Sequence, residues 1–323
     1  MKNNLLTILL VLNTAVCFSQ SLEEKFKRAK IYYSDSQQLS QLESLGVAVD
    51  HAKHKKGVFI ISDFSTSELS IARDNGYNIE ILIDDLEQHF LTQNNLKVPL
   101  RNLACIDDSD TYQTPVHFND SAGSMGGYFT YQEVLDELDQ MKALYPNLIT
   151  TKSNISTFLT QGQPDNSVTP SIGDNGIKWV KISDNPDSSE QEPQILYSAI
   201  HHAREPMSLH QLIFYMWYLL ENYQTNPEIQ SIVNNTELFF VPVVNPDGYL
   251  YNEKTNPNGG GFWRKNRRNN GNGTFGVDNN RNYEFFIDGN PNNGMWGGEG
   301  SSGNPESQVY RGSSPFSEVE NQA

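Results

Sequence analysis

Two cysteines among 323 residues, Cys17 and Cys105, leave no basis for a disulfide framework. Basic residues are also scarce, with 23 Lys and Arg against 39 Asp and Glu for a net charge of -16. So acidic a chain lacks the positive footprint that nucleic acid or an anionic membrane surface requires. After the first twenty residues no apolar run reaches membrane-spanning length. The HExxH zincin signature occurs nowhere. What is present suffices for a packed fold: 37% hydrophobic, 11% aromatic and 19% charged residues exclude a coiled coil or a wholly disordered chain. The length gives room for about two domains.

Residues 1–19 carry one Lys, an apolar run from Leu5 to Val16, then small and polar residues. This is the order of a cleavable signal peptide, with Cys17 and Ser19 as the small residues before the cut. It predicts a secreted or periplasmic protein with no membrane span after signal removal. Residues 20–92 then show a doubled strand-helix-strand pattern. Strands are expected over Ala29–Tyr33, Val47–Asp50, Val58–Ser62 and Tyr77–Ile83, with helices over Ser36–Leu45 and Ser65–Asn75. Ser65 and Glu68 form a capping box, and Gly46 and Gly76 stop the two helices. The pattern suggests a small ferredoxin-like α+β unit, an accessory or pro-domain. Its histidines, His51, His54 and His89, show no metal-ligand spacing. Residues 93–123 lose apolar periodicity and are rich in turn formers, as in a linker, with Lys97 and Arg101 as sites a processing protease could cut.

From residue 124 helix and strand alternate. Thr130 caps a helix carrying Val134, Leu138 and Met141, and Thr225 with Glu228 begins another. Ser208–Asn222 is a long helix whose aromatics are core. Gln194–Ile200 and Leu238–Val244 are nearly continuous apolar runs, the pattern of strands buried on both faces. The fold class expected is α/β, a mixed central sheet flanked by helices.

The segment His201-His202-Ala203-Arg204-Glu205-Pro206 follows the apolar strand directly. Functional side chains of open α/β sheets gather beyond strand C-termini. An imidazole and a carboxylate three residues apart can meet on one cation, and zinc accepts both while keeping a position open in hydrolases. His202 and Glu205 are therefore candidate metal ligands, and His201 is a packing or supporting residue. Asn245-Pro246-Asp247-Gly248 reads as a tight turn closing the next strand. Further motifs follow in order: Trp263-Arg264-Lys265, Val277-Asp278-Asn279-Asn280-Arg281-Asn282, Tyr310-Arg311-Gly312 and Ser317-Glu318.

Together with the His202–Glu205 segment, this series closely resembles zinc metallocarboxypeptidases of the carboxypeptidase A and T type, over roughly residues 124–323. The resemblance implies a catalytic domain over 124–323 that binds Zn2+ through His202 and Glu205. It implies Arg264 as the oxyanion-stabilising arginine, and Asn280 and Arg281 as the pair holding the substrate's C-terminal carboxylate. It implies Arg204 as a further substrate contact. Elementary chemistry agrees: the guanidinium fork binds a carboxylate in bidentate fashion, and fixed positive charge stabilises a tetrahedral oxyanion. The substrate implied is a peptide or protein with a free C-terminus.

The family also uses a third ligand, a His, and a Glu as general base, both downstream of the last motifs. No His follows His210 here. Ser317 and Glu320 read as a capping box opening a helix, with the last residue, Ala323, three positions after Glu320. The expectation is a chain incomplete at its C-terminus, inactive in this form. The alternatives are a non-catalytic peptide- or carboxylate-binding module and a related zinc hydrolase of cell-wall peptides.

Overall fold

A computed structural model describes residues 24–95, 113–118, 123–284, 296–298 and 300–323. The signal peptide expected over 1–19, both cysteines and most of the linker lie outside the described residues.

The N-terminal unit runs β1 (Phe26–Tyr32), α1 (Ser36–Ser44), β2 (Lys53–Lys55), β3 (Phe59–Ser65), α2 (Thr66–Asp74), β4 (Ile79–Ile83) and α3 (Leu86–Asn95). Its sheet has the order β2-β3-β1-β4 with every pairing antiparallel. Leu42, Ile60, Phe64, Leu69 and Ala72 pack beneath it as a separate small core. Ser65 and Glu68 form the expected capping box of α2. Gly46 and Gly76 follow α1 and α2 with φ of 84° and 86°, the left-handed conformation that ends a helix.

One expected strand is absent. Val47–Asp50 joins no sheet, because its backbone bonds go elsewhere. Val47 N–H donates to the Leu42 carbonyl, and Ala48 N–H donates to Glu68 Oε1 at 2.8 Å. Ala52 N–H closes a turn onto Val49. The same Glu68 caps α2 through Oε2, so one buried carboxylate fixes both a helix start and the loop that ends in Asp50 and His51.

The larger unit contains α4 (Tyr131–Leu144), β5 (Ser153–Asn154), β6 (Lys178–Ile182), β7 (Gln194–Ser198), α5 (Pro206–Asn222), α6 (Pro227–Asn234), β8 (Glu237–Val241), α7 (Pro246–Thr255) and α8 (Val319–Gln322). Its sheet order is β5-β6-β8-β7, mixed, with β7 and β8 parallel and the other pairs antiparallel. The main core joins α4, α5 and β8, with Trp217 fully buried and its indole donating to Glu137 at 2.6 Å.

Four local expectations are corrected. The apolar run at 194–200 is not covered on both faces. Among the described residues β7 stands at the sheet edge, with Ile195 and Leu196 42% and 64% exposed. Asn245–Gly248 is not a closing turn but the start of α7, with Asn245 Oδ1 accepting from Gly248 N–H at 2.9 Å and Pro246 at the first helical position, where its missing N–H costs nothing. The cap of α6 is Asn226, not Thr225, since the Asn226 side chain accepts from Glu228 and Ile229. At the chain end α8 is capped by Glu318 without a side-chain bond. Ser317 instead donates to Glu318, and Glu320 is buried beside Asn266, so no capping box forms.

Candidate metal centre and carboxylate site

The chain leaves β7 through a strained corner. Ile200 has φ of 54°, costly for a β-branched residue, and the next two residues are His201 and His202. The corner is held from several sides. Asn245 N–H donates to the Ile200 carbonyl, and Asn245 Nδ2 reaches the carbonyls of His201 and Arg264. Ala203 N–H donates to the Arg264 carbonyl at 3.0 Å. Asn245 is wholly buried and so joins three segments far apart in sequence. Gly248 beside it has no room for a side chain, because a Cβ there would lie 2.5 Å from the Lys265 carbonyl oxygen.

This scaffold brings His202 and Glu205 together. His202 Nδ1 lies 2.8 Å from Glu205 Oε1, and His202 Nε2 lies 3.1 Å from Asp278 Oδ1. Asp278 is wholly buried and also takes a forked bond from Arg264, Nε at 2.9 Å and Nη2 at 2.8 Å. A histidine anchored at one nitrogen by a buried carboxylate presents the other in fixed orientation, the support that metal-binding imidazoles typically have. Burial opposes the imidazolium of His202, but the bonds from Asp278 and Glu205 outweigh it and raise its pKa. Burial likewise opposes the Asp278 carboxylate, yet Arg264 and His202 hold it far below the usual range.

Arg264 is fully buried and has a second partner from the N-terminal unit. Its Nη2 donates to Asp50 Oδ2 at 2.9 Å, and Arg281 Nη2 donates to the same oxygen at 2.8 Å. Arg281 is fixed in turn by its Nε bond to the Gly300 carbonyl. Arg264 Nη1 is buried with no partner among the described residues, which leaves a donor for another acceptor. His51, next to Asp50, places Nε2 3.3 Å from Glu205 Oε1.

The other sequence candidates lie around this centre. The Arg204 guanidinium sits 5.5 Å over the ring of Phe26, with Nη1 buried and unpartnered among the described residues. Beside it, His51, Phe90, Tyr128 and Glu205 line a cavity of about 490 Å³ between the two units. Asn280 is exposed at a short 3-10 turn, Asn279–Arg281, and no bond among the described residues engages its side chain. Its neighbour Asn279 is the buried member of that pair. His201 meets the Tyr283 hydroxyl at 3.0 Å, outside the metal group. Asp50 and His51 carried no sequence signal of their own, and Asp278 stood in the sequence only as a member of the motif at 277–282, without a role.

One ligand atom each from His51, His202 and Glu205 lies within 4.8 Å of the others. Two imidazole nitrogens and a carboxylate oxygen are the donor set zinc takes in hydrolases, so these residues fit that ion.

Comparison with known proteins identifies the family. A family model described as zinc carboxypeptidase matches residues 135–323. The chain is 29% identical over 227 residues to a zinc carboxypeptidase of Saccharothrix mutabilis subsp. capreolus, covering 67% of this chain and 47% of that one. It is 33% identical over 198 residues to carboxypeptidase A2 of Mus musculus, covering 61% and 40%. The chain therefore spans less than half the length of these curated relatives. Among solved structures, a carboxypeptidase A of Helicoverpa armigera superposes with a TM-score of 0.62 at 20% identity, over 93% of this chain and 65% of that one. Thrombin activatable fibrinolysis inhibitor superposes at 0.57 and 18% identity, over 92% and 67%. These two show a shared fold. The chain belongs to the zinc carboxypeptidase family, whose cofactor is Zn2+.

Proposed function

We propose that this chain carries most of the metal-bearing half of a secreted or periplasmic zinc carboxypeptidase that hydrolyses C-terminal peptide bonds. Its residues 20–92 would form a ferredoxin-like pro-domain lying over the site. One observation carries the reading: the Asp50 carboxylate sits on Arg264 and Arg281, beside His202 and Glu205. A pair of arginines that seats a protein carboxylate can seat the carboxylate of a peptide end.

In this reading His202 and Glu205 hold the metal, with Asp278 orienting His202. When bound, zinc supplies a polarised carbonyl and a water of lowered pKa. Arg281, with Asn280, fixes the substrate's terminal carboxylate. Arg264 presents a rigid, dry positive charge to the oxyanion, which requires no reorganisation as charge develops. Arg204 contacts the substrate from the cavity between the units. A third ligand and a general base of the family type, a His and a Glu, complete the enzyme.

The test compares peptides with free and amidated C-termini, following release of the terminal residue by the full-length gene product after processing. Free peptides are expected to be cleaved and amidated ones spared. Equal turnover of both would overturn the carboxypeptidase reading. A second reading is a carboxylate-binding module, which the complete arginine seat favours. Tight binding of free-ended peptides without hydrolysis would establish it.

A further inference from the structure

We propose that His51 of the N-terminal unit is itself a ligand of the metal held by His202 and Glu205, making the ion a clasp between the two units. The inference rests on reading His202 and Glu205 as zinc ligands. His51 Nε2 and His202 Nδ1 approach the same oxygen, Glu205 Oε1, at 3.3 and 2.8 Å. Donors bound at ~2.0–2.1 Å to one tetrahedral zinc stand roughly 3.3 Å apart, so both separations need little change to admit the ion. The two imidazole rings meet edge to face, with centroids 5.6 Å apart at 82°.

His51 is also held in place. Asp50 before it is anchored by Arg264 and Arg281, Ala48 by the buried Glu68, and Ala52 by its turn bond to Val49. Its own side chain is 54% exposed, so it is no core histidine filling space. An exposed imidazole directed by a rigid loop at a His–Glu pair has the chemistry of a ligand. Departure of the unit would then remove two things at once, a nitrogen from the metal and a carboxylate from the arginine seat.

The experiment uses the 323-residue chain and Zn2+. Zinc affinity is measured by competition with a chromophoric chelator, and the imidazole count by X-ray absorption of the zinc form. The variants are His51→Asn, His51→Arg and His202→Asn. His51→Arg keeps a cation facing Asp50 and Glu205 but offers no ligand, which separates ligation from ion pairing. The parent chain is expected to hold one zinc through two imidazoles. Both His51 variants should bind at least tenfold more weakly through one imidazole, since even loss of a residue that merely orients a ligand costs roughly 10–100-fold. Equal melting temperatures of the metal-free parent and His51 variants check that the fold is intact. If the His51 variants keep parental affinity and imidazole count while His202→Asn loses zinc, His51 is no ligand and the zinc reading of His202 and Glu205 stands. Retention by His51→Arg alone would likewise overturn the proposal in favour of an ion pair. A parent chain that takes up no zinc would overturn the zinc-site reading itself.

Discussion

Asp50 and Arg264 stand 214 residues apart in sequence and meet at 2.9 Å. Arg264 donates to Asp50 with the nitrogen that also serves Asp278, so one buried guanidinium joins two carboxylates from the two units. Asp50 is only a quarter exposed. Burial alone would raise its pKa, but Arg264 and Arg281 hold its carboxyl well below the ordinary range. The pair is therefore part of the attachment between the units, and it occupies the same guanidinium groups a terminal carboxylate would need.

Asp50→Asn should loosen that attachment. Removing one partner of a part-buried pair leaves Arg264 and Arg281 short of a charge, at a cost of about 1–3 kcal/mol. A depressed carboxylate contributes stability above its ordinary pKa near 3.8 and loses it as pH falls further. The difference between parent and variant in urea unfolding should thus be present at pH 7 and shrink toward pH 3. Hydrogen exchange of residues 47–52 should speed up in the variant at pH 7. Unchanged exchange there would show that the pair does not hold the loop.

Arg281→Ala, made in the full-length enzyme, should cut kcat/KM for free-ended peptides at least tenfold. Loss of a charge-assisted partner for a buried carboxylate costs on the order of 2–5 kcal/mol. The residual rate on amidated peptides should barely move. Equal losses on both substrate types would assign Arg281 a purely structural role.

Asp247→Ala should destabilise the loop that packs on α7. The Asp247 side chain accepts from Gly162 N–H, Gly173 N–H and Asn175 Nδ2 at 2.9, 2.9 and 2.8 Å, wholly buried. Its removal leaves three donors unmatched, a loss of about 2–5 kcal/mol. Chemical denaturation gives the magnitude, and amide exchange at Gly162 and Gly173 locates it. Parental exchange at both glycines would mean that water replaces the carboxylate without cost.

Glu253→Gln should stabilise the chain at high pH only. Burial raises the Glu253 carboxyl to about 7, although the Tyr131 N–H bond works in the other direction. Between pH ~4.5 and 7 the folded chain binds more protons than the unfolded chain, so stability falls as pH rises through that window. A neutral amide keeps an acceptor for Tyr131 without the charge. Urea unfolding should show the variant ahead by on the order of 1–3 kcal/mol at pH 8 and level with the parent at pH 4. A variant no more stable at pH 8 would show that Glu253 is ionised without cost in the fold.

The sequence by itself determined what local chemistry controls. Ser65 with Glu68, and Thr130, cap their helices as short-range hydrogen bonding dictates. Gly46 and Gly76 end helices because only glycine adopts positive φ without strain. His202 and Glu205 were legible because three residues of spacing bring them within 2.8 Å, and Arg264 and Arg281 because of the motifs around them. Only the tertiary structure decided the rest. Val47–Asp50 looked like a strand, yet Glu68, twenty residues on, takes the Ala48 N–H. Gln194–Ile200 looked doubly covered, but hydropathy records what a strand can bury, not which neighbours it has. His51 read as an isolated histidine because its distance from Glu205 depends on how two units pack. Their pairing, like that of Asp50 with Arg264, is set by charge and shape summed over a whole surface, which no short window of sequence contains.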